Sequence, residues 1–266
     1  MAFSHNQLLL LAINASLAAG KEILNVYNSD FSVEKKADNS PLTLADKNAH
    51  NVICEILSET KIPVLSEEGK EIPFAERKKW NTLWIVDPLD GTKEFVKRNG
   101  EFTVNIALIE NGNPVLGAIY CPVKMDLYFA SKNAGAYKFS GSTFQVSDLE
   151  ELILKSEKLP TKKNNAQFTV VASRSHMTQE TTDFIDELKK KYGEVETVSA
   201  GSSLKICLVA QGAADIYPRF GPTMEWDTAA GQAMAESAGK KFIDMKTNQP
   251  MIYNRENLLN NFFIVQ

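Results

Sequence analysis

The stretch that decides how this chain is read is Trp84-Ile85-Val86-Asp87-Pro88-Leu89-Asp90-Gly91-Thr92. Residues 83–86 have the apolar run of a buried strand, which Asp87-Pro88 should stop. The strand delivers two carboxylates three residues apart, and Gly91-Thr92 then opens a helical segment over 92–98. Free backbone N–H groups at such a helix start can hold a phosphate oxygen. The carboxylates beside them suit a divalent cation, so metal and phosphate would meet at one spot. Taken alone, two aspartates at this spacing more often shape a turn, with Asp-Gly supplying the bend. A calcium loop starting at Asp87 fails, because Thr92 would stand where glycine belongs and Arg98 where the bidentate glutamate belongs.

Working outward, residues 8–19 are apolar but follow no Lys or Arg, and Asn14 and Ser16 interrupt them. They are too short to span a membrane and continue with helical spacing, so they read as an amphipathic first helix rather than a cleaved leader. Residues 31–40 turn strand-like and then polar, and Pro41 closes them. Thr43-Leu44-Ala45-Asp46 resembles a capping box opening a helix to about residue 60. Residues 62–66 form a short strand ending in Glu67-Glu68-Gly69, and 70–79 read as a charged loop. A meander follows over 102–110, 115–120, 127–130 and 136–139, with Asn111-Gly112 as a hairpin turn.

The polar, Lys-rich stretch 149–166 is the expected boundary between an N-terminal α+β half, residues 1–148, and a C-terminal α/β half, residues 149–266. In the second half strands at 168–172, 194–198 and 214–217 alternate with helices at 181–192, 203–210 and 227–238, an α/β pattern. Trp226-Asp227 thus stands at a helix start, where Asp227 would by default be an N-cap.

Composition narrows the function. The chain has 266 residues, 29 Lys plus Arg against 33 Asp plus Glu, and a net charge of -4. It lacks the basic footprint of a nucleic-acid polymer binder, and 44% hydrophobic content argues against a disordered chain. Three scattered cysteines with no CxxC pair suit a reducing compartment. With only three histidines, any metal should be a hard cation held by oxygen. A cytoplasmic enzyme is expected, without a transmembrane segment; peripheral association with the inner face of the membrane stays open. The sequence carries no signature of a particular oligomeric state.

Asp87-Pro88-Leu89-Asp90-Gly91-Thr92 resembles the first signature of the inositol monophosphatase-like metal-dependent phosphatases. Trp226-Asp227-Thr228-Ala229-Ala230, with Ala238-Gly239 downstream, resembles the second. The similarity spans essentially the whole chain and is strongest to the family's 3'(2'),5'-bisphosphate nucleotidase branch. It is carried there by Lys36-Ala37-Asp38-Asn39-Ser40-Pro41, Leu65-Ser66-Glu67-Glu68, Gly91-Thr92-Lys93-Glu94-Phe95 and Asn99-Gly100-Glu101-Phe102-Thr103-Val104-Asn105. Ser173-Arg174-Ser175-His176, Gly201-Ser202-Ser203-Leu204-Lys205 and Tyr217-Pro218-Arg219-Phe220 carry it further. Lys240 departs from the second signature, which usually ends in a small residue, and bears on local packing only.

The resemblance implies a layered α/β/α/β/α sandwich with the active site between the two halves. Glu67, Asp87, Asp90 and Asp227, with the Leu89 carbonyl, would be Mg²⁺ ligands. Thr92 and Asp46 would orient the attacking water, with Glu67 also counted as catalytic. Glu67, Leu89, Asp90, Gly91, Thr92 and Asp227 would line the reacting phosphate. Ser202, Lys205 and Arg219, with His176, would take the nucleotide's other phosphate and sugar, a role that Lys and Arg suit. Lys93, Lys97 and Arg98 read as an exposed helix face. The implied reaction converts adenosine 3',5'-bisphosphate to AMP and phosphate, with 3'-phosphoadenylyl sulfate as a second substrate and lithium as an inhibitor. The alternatives are an inositol or sugar monophosphatase, and a non-catalytic anion- or metal-binding module; the intact water-orienting pair argues against the module.

Overall fold

A computed structural model of the chain describes residues 3–29, 33–35, 41–143, 145–161, 167–172 and 177–266, with 33–35 and 41–43 described by their backbone alone. The chain runs α1 (His5–Tyr27), β1 (Val33–Lys35), β2 (Pro41–Thr43), α2 (Leu44–Leu57), β3 (Val64–Ser66), α3 (Phe74–Arg77), β4 (Thr82–Asp90) and α4 (Thr92–Val96). It continues through β5 (Thr103–Glu110), β6 (Asn113–Cys121), β7 (Asp126–Ser131), β8 (Gly135–Ser140), α5 (Leu149–Leu154) and β9 (Glu157–Leu159). The last third holds β10 (Phe168–Ala172), α6 (Gln179–Tyr192), β11 (Val195–Ser199), α7 (Leu204–Gln211), β12 (Tyr217–Arg219), α8 (Glu225–Ser237), β13 (Phe242–Asp244), β14 (Gln249–Pro250) and β15 (Phe263–Val265).

Strands β3 to β9 form one seven-stranded sheet in sequence order, parallel only between β3 and β4. The period-two alternation of its central strands sets the layers. Trp84, Val86, Val104, Ile106 and Leu108 enter a core shared with α1 and α2. Leu83, Ile85, Ala107 and Ile109 enter a second core shared with α7 and α8. Helix α8 lies close on the sheet because residue 117 is glycine: a Cβ there would come within 2.9 Å of the Ala230 carbonyl oxygen.

Beyond α7 and α8 lies a second sheet. Its β12-β15-β13-β14 portion meets the parallel β10-β11 pair through a bridge between Val170 and Ile216. Helix α6 covers this sheet's far side, where Ile185 packs with Val170, Ala172, Ile216 and Ile264. The order is therefore α1 and α2, sheet, α7 and α8, sheet, α6, which is the expected sandwich.

Four expectations need correction. The apolar start belongs to a 23-residue helix, long and apolar enough by length and composition to cross a membrane. Over half of its most apolar window is buried, and its Leu9, Ile13, Leu17 and Ile23 are core residues. Pro41 does not end a strand but begins β2, whose backbone pairs with β1. Residues 74–77 of the expected charged loop form the short helix α3, with Arg77 buried. The expected boundary at 148/149 falls inside the first half's packing: Leu149 and Leu152 of α5 join the α1/α2 core, and β9 pairs with β8. Lys and Glu on an edge strand such as β9 made this stretch look like a linker. The rest of that boundary, residues 162–166, lies outside the described residues, as do 36–40 of the resemblance.

Candidate active site

Strand β4 does not stop at Asp87-Pro88. It continues to Asp90 with a register shift, Asp87 pairing with Asn105 and Asp90 with Thr103. Three steps on β4 thus match two on β5, the count of a β-bulge. In an unbroken strand, residues three apart point to opposite faces. The extra residue puts Asp87 and Asp90 on one face, the face of Leu83 and Ile85 that looks toward α8. Pro88, which has no N–H to lose, sits inside the bulge. Asp87 is 1% exposed, and its Oδ1 accepts from the Leu89 N–H at 3.1 Å.

Helix α8 supplies the opposing carboxylate. The helix begins at Glu225, so Asp227 is its third residue rather than its N-cap, and Oδ2 accepts from the Met224 N–H at 2.8 Å. Glu67 arrives from the end of β3, its N–H held by the Val86 carbonyl at 3.1 Å. Glu67, Asp87 and Asp227 each offer a ligand oxygen, all within 4.8 Å of one another. Burial, and then Glu67, Asp90, Asp227 and Asp46, push the Asp87 carboxyl well above the usual carboxylate range. Burial and then Asp90 do the same to Asp227. A desolvated, like-charged set of oxygen donors fits a hard divalent ion.

These carboxylates line a cleft of about 370 Å³ together with Leu89, Asp90, Gly91, Thr92, Ser202, Lys205 and Arg219. All the expected site residues except Asp46 and His176 are therefore brought together. Asp46, in the first turn of α2, is 1% exposed and acts on Asp87 through its charge. Among the described residues no hydrogen bond joins it to Thr92. His176 lies outside the described residues, with the rest of Ser173-Arg174-Ser175-His176. Gly91 precedes α4 at φ +92, a left-handed conformation that glycine adopts without strain.

Cationic side chains line the same cleft. Lys205, in the first turn of α7, is 9% exposed, and Nζ donates to the Ser202 carbonyl at 2.6 Å. Burial pushes it down to about 8, against the nearby Asp90 charge. Arg219 projects from β12; Nη2 donates to the Pro222 carbonyl at 2.9 Å, while the buried Nε has no hydrogen-bond partner among the described residues. Lys93 is exposed and also borders the cleft. Arg98 serves α1 instead, donating to the Tyr27 and Ser29 carbonyls at 2.5 and 3.1 Å, where a helix end lacks donors.

Several polar residues behind Asp90 carry no individual role in the sequence reading: Thr103, Asn105 and Ser203, respectively 0%, 1% and 3% exposed. Asn105 bonds to Asp90 Oδ2, and Ser203 Oγ shares its one proton between Asp90 Oδ2 at 3.0 Å and the Asp227 carbonyl at 2.9 Å. The available signal was polarity at alternate positions of an otherwise apolar strand, since Thr103 and Asn105 share the face of Ala107 and Ile109.

A layered sandwich with a carboxylate cluster where one sheet meets α8 defines a class, and the inositol monophosphatase family model matches residues 5–262. The chain belongs to the inositol monophosphatase family, whose enzymes are metal-dependent. It is 45% identical over 251 residues to the 3'(2'),5'-bisphosphate nucleotidase CysQ of Salmonella typhimurium, covering 93% of this chain and 94% of that protein. The Escherichia coli K12 protein of the same name is also 45% identical, over 255 residues, with the same coverages. Among solved structures, CysQ from Bacteroides thetaiotaomicron, described as a bacterial member of the inositol monophosphatase family, superposes with a TM-score of 0.91. It is 55% identical and covers 98% of this chain and 97% of its own.

Proposed function

We propose that this chain is a cytoplasmic, Mg²⁺-dependent 3'(2'),5'-bisphosphate nucleotidase that hydrolyses the 3'-phosphate of adenosine 3',5'-bisphosphate to give AMP and phosphate, with 3'-phosphoadenylyl sulfate as a second substrate. The observation that carries it is a cleft that holds both charges. Glu67, Asp87 and Asp227 converge within 4.8 Å, and Lys205 and Arg219 line the same cleft. A monophosphate needs only the carboxylates and their metal; a bisphosphate uses the two cations as well.

In this reading Glu67, Asp87, Asp90 and Asp227, with the Leu89 carbonyl, hold the metal. Bound there, Mg²⁺ would lower the pKa of the attacking water and stabilise the charge developing on the phosphate oxygens. Thr92, which lines the cleft, and Asp46, buried next to Asp87, together orient that water. The first N–H groups of α4 hold a phosphate oxygen, presented by the turn at Gly91. Lys205, Arg219 and Ser202, joined by His176, bind the 5'-phosphate and sugar. The three described cysteines are unpaired, which supports a reducing compartment.

Phosphate release from adenosine 3',5'-bisphosphate and from inositol 1-phosphate, each with Mg²⁺ and with a chelator, tests the assignment. Turnover of the nucleotide well above the inositol ester, abolished by the chelator, is expected. Equal or faster turnover of the inositol ester would refute the nucleotidase reading, and activity surviving full chelation would refute the metal.

A further inference from the structure

Asp90 differs from the other carboxylates of the cleft in how it is held. Its Oδ2 accepts from Ser202 Oγ at 2.5 Å, Ser203 Oγ at 3.0 Å and Asn105 Nδ2 at 3.4 Å. Among the described residues no hydrogen bond engages Oδ1. Asn105 is fixed at both ends: Nδ2 also donates to Ser203 Oγ at 3.0 Å, and Oδ1 accepts from Thr103 Oγ1 at 2.8 Å. Thr103 Oγ1 lies 2.6 Å from Ser202 Oγ. Polar contacts close a ring through Asp90, Ser202, Thr103 and Asn105, with Ser203 across it; each hydroxyl has one proton to give, so two of the three contacts Ser202–Asp90, Ser202–Thr103 and Thr103–Asn105 are hydrogen bonds at a time.

Three features argue that this ring serves the site rather than the fold. Thr103 and Asn105 are buried on a face where Ala107 and Ile109 show that apolar residues pack, so their polarity is an expense the core does not require. Neither residue borders the cleft, whereas Asp90, Ser202 and Ser203 do. The ring also reaches the cleft's cationic side chains. Ser202 is held at φ +53, in the left-handed region, and its carbonyl accepts from Lys205 Nζ. A segment fixed in a conformation unusual for serine needs such support.

We propose that Thr103 and Asn105 are positioning residues that keep Asp90 in its metal-binding orientation and tie it, through Ser202 and Ser203, to the segment bearing Lys205. The inference rests on the reading of Asp90 as a metal ligand. Opening the ring frees the Asp90 carboxylate to rotate and releases Ser202, so affinity for the cation and affinity for a second phosphate fall together. Reciprocally, the cation and a bisphosphate favour each other's binding.

Calorimetric titration of the full chain with Mg²⁺ alone tests this without turnover. Asn105→Ala should weaken Mg²⁺ binding about 10- to 100-fold, the range for residues supporting metal ligands. Thr103→Val, which keeps the shape and removes the hydroxyl, should weaken it about three- to tenfold, and Thr103→Ser should restore it. In the same variants KM for the bisphosphate should rise more than KM for a monophosphate. A folded Asn105→Ala protein with wild-type Mg²⁺ affinity would overturn the proposal. Should that variant fail to fold, equal Mg²⁺ affinity in Thr103→Val and Thr103→Ser overturns it instead. Wild-type protein that takes up no Mg²⁺ would remove the ligand reading itself, a result distinct from uptake that the variants leave unchanged.

Discussion

Glu225 and Asp227 stand two residues apart in the first turn of α8, the first buried and the second half-buried, both raised chiefly by desolvation, and they are opposites. At about 100° per residue they face away from each other around the helix. Glu225 looks into the C-terminal loop: Oε2 accepts from the Asn254 N–H at 2.6 Å, and Oε1 from the Arg255 N–H and Nε, both at 3.0 Å. Arg255 is secured in turn by Asn260 Oδ1 at 2.7 Å, and Arg77 donates to the Arg255 and Glu256 carbonyls. That charge is answered within the protein. Asp227 has one backbone N–H, and Asp90 and Glu67 crowd it with like charge against the countering charge of Arg219. Burial alone does not mark a functional carboxylate; like-charged neighbours do.

The largest expected effect breaks this comparison directly. Asp227→Asn should lower kcat/KM by more than about a hundredfold, beyond the usual cost of disturbing a group behind the ligands. It should leave the melting temperature unchanged or higher, because a repulsion is removed. Glu225→Gln should behave in the opposite way, losing about 3–5 kcal/mol of stability by leaving Arg255 without its carboxylate. Its metal-dependent turnover per folded molecule should be kept. Denaturant midpoints and steady-state rates on both variants check the pair, and an exchange of phenotypes would contradict the division.

Smaller effects sharpen the picture at the cleft's cationic side chains. Lys205→Ala should raise KM for the bisphosphate about ten- to a hundredfold, the worth of a charge-assisted hydrogen bond, and change KM for a monophosphate little. Equal changes would place Lys205 away from the second phosphate. Because burial lowers Lys205 to about 8, its charge is lost as pH rises through that value. KM for the bisphosphate should therefore climb severalfold above pH 8 in wild type. Lys205→Arg, which stays charged, should flatten that limb of the profile.

Much of this was legible because it is local. Asp87-Pro88-Leu89-Asp90-Gly91-Thr92 and Trp226-Asp227 announce themselves through chain neighbours, and the alternation along 102–110 and the helical spacing over 44–57 follow from burial on one face. What was hidden depends on partners far along the chain. The bulge that aligns Asp87 with Asp90 appears only when β4 is laid against Asn105 and Thr103, although Pro88 inside a strand was a clue. Asn105 finds Ser203 98 positions away, and Asn254 and Arg255 close on Glu225 from the far C-terminal loop. A hydrophobic pattern reports which face is buried and is silent on which polar groups meet there. Residues 149–159 show the converse: their polarity suggested a linker, yet β9 completes a sheet edge where charged side chains belong.

On the proposed function, a divalent cation offsets the like-charge crowding of Glu67, Asp87 and Asp227. Asp87 and Asp227 have pKa values raised above those of the unfolded chain, so without metal they stabilise the fold by holding protons, and that contribution is lost as pH rises through the raised values. A cation must displace those protons, so its benefit grows with pH. The melting temperature of the wild-type protein, measured at pH 6 and pH 8 with and without Mg²⁺ at about a hundred times its Kd, is the most direct test. The account predicts a rise of roughly 5–10 °C at pH 8 and a smaller one at pH 6. No shift at either pH, or a larger one at pH 6, would contradict it.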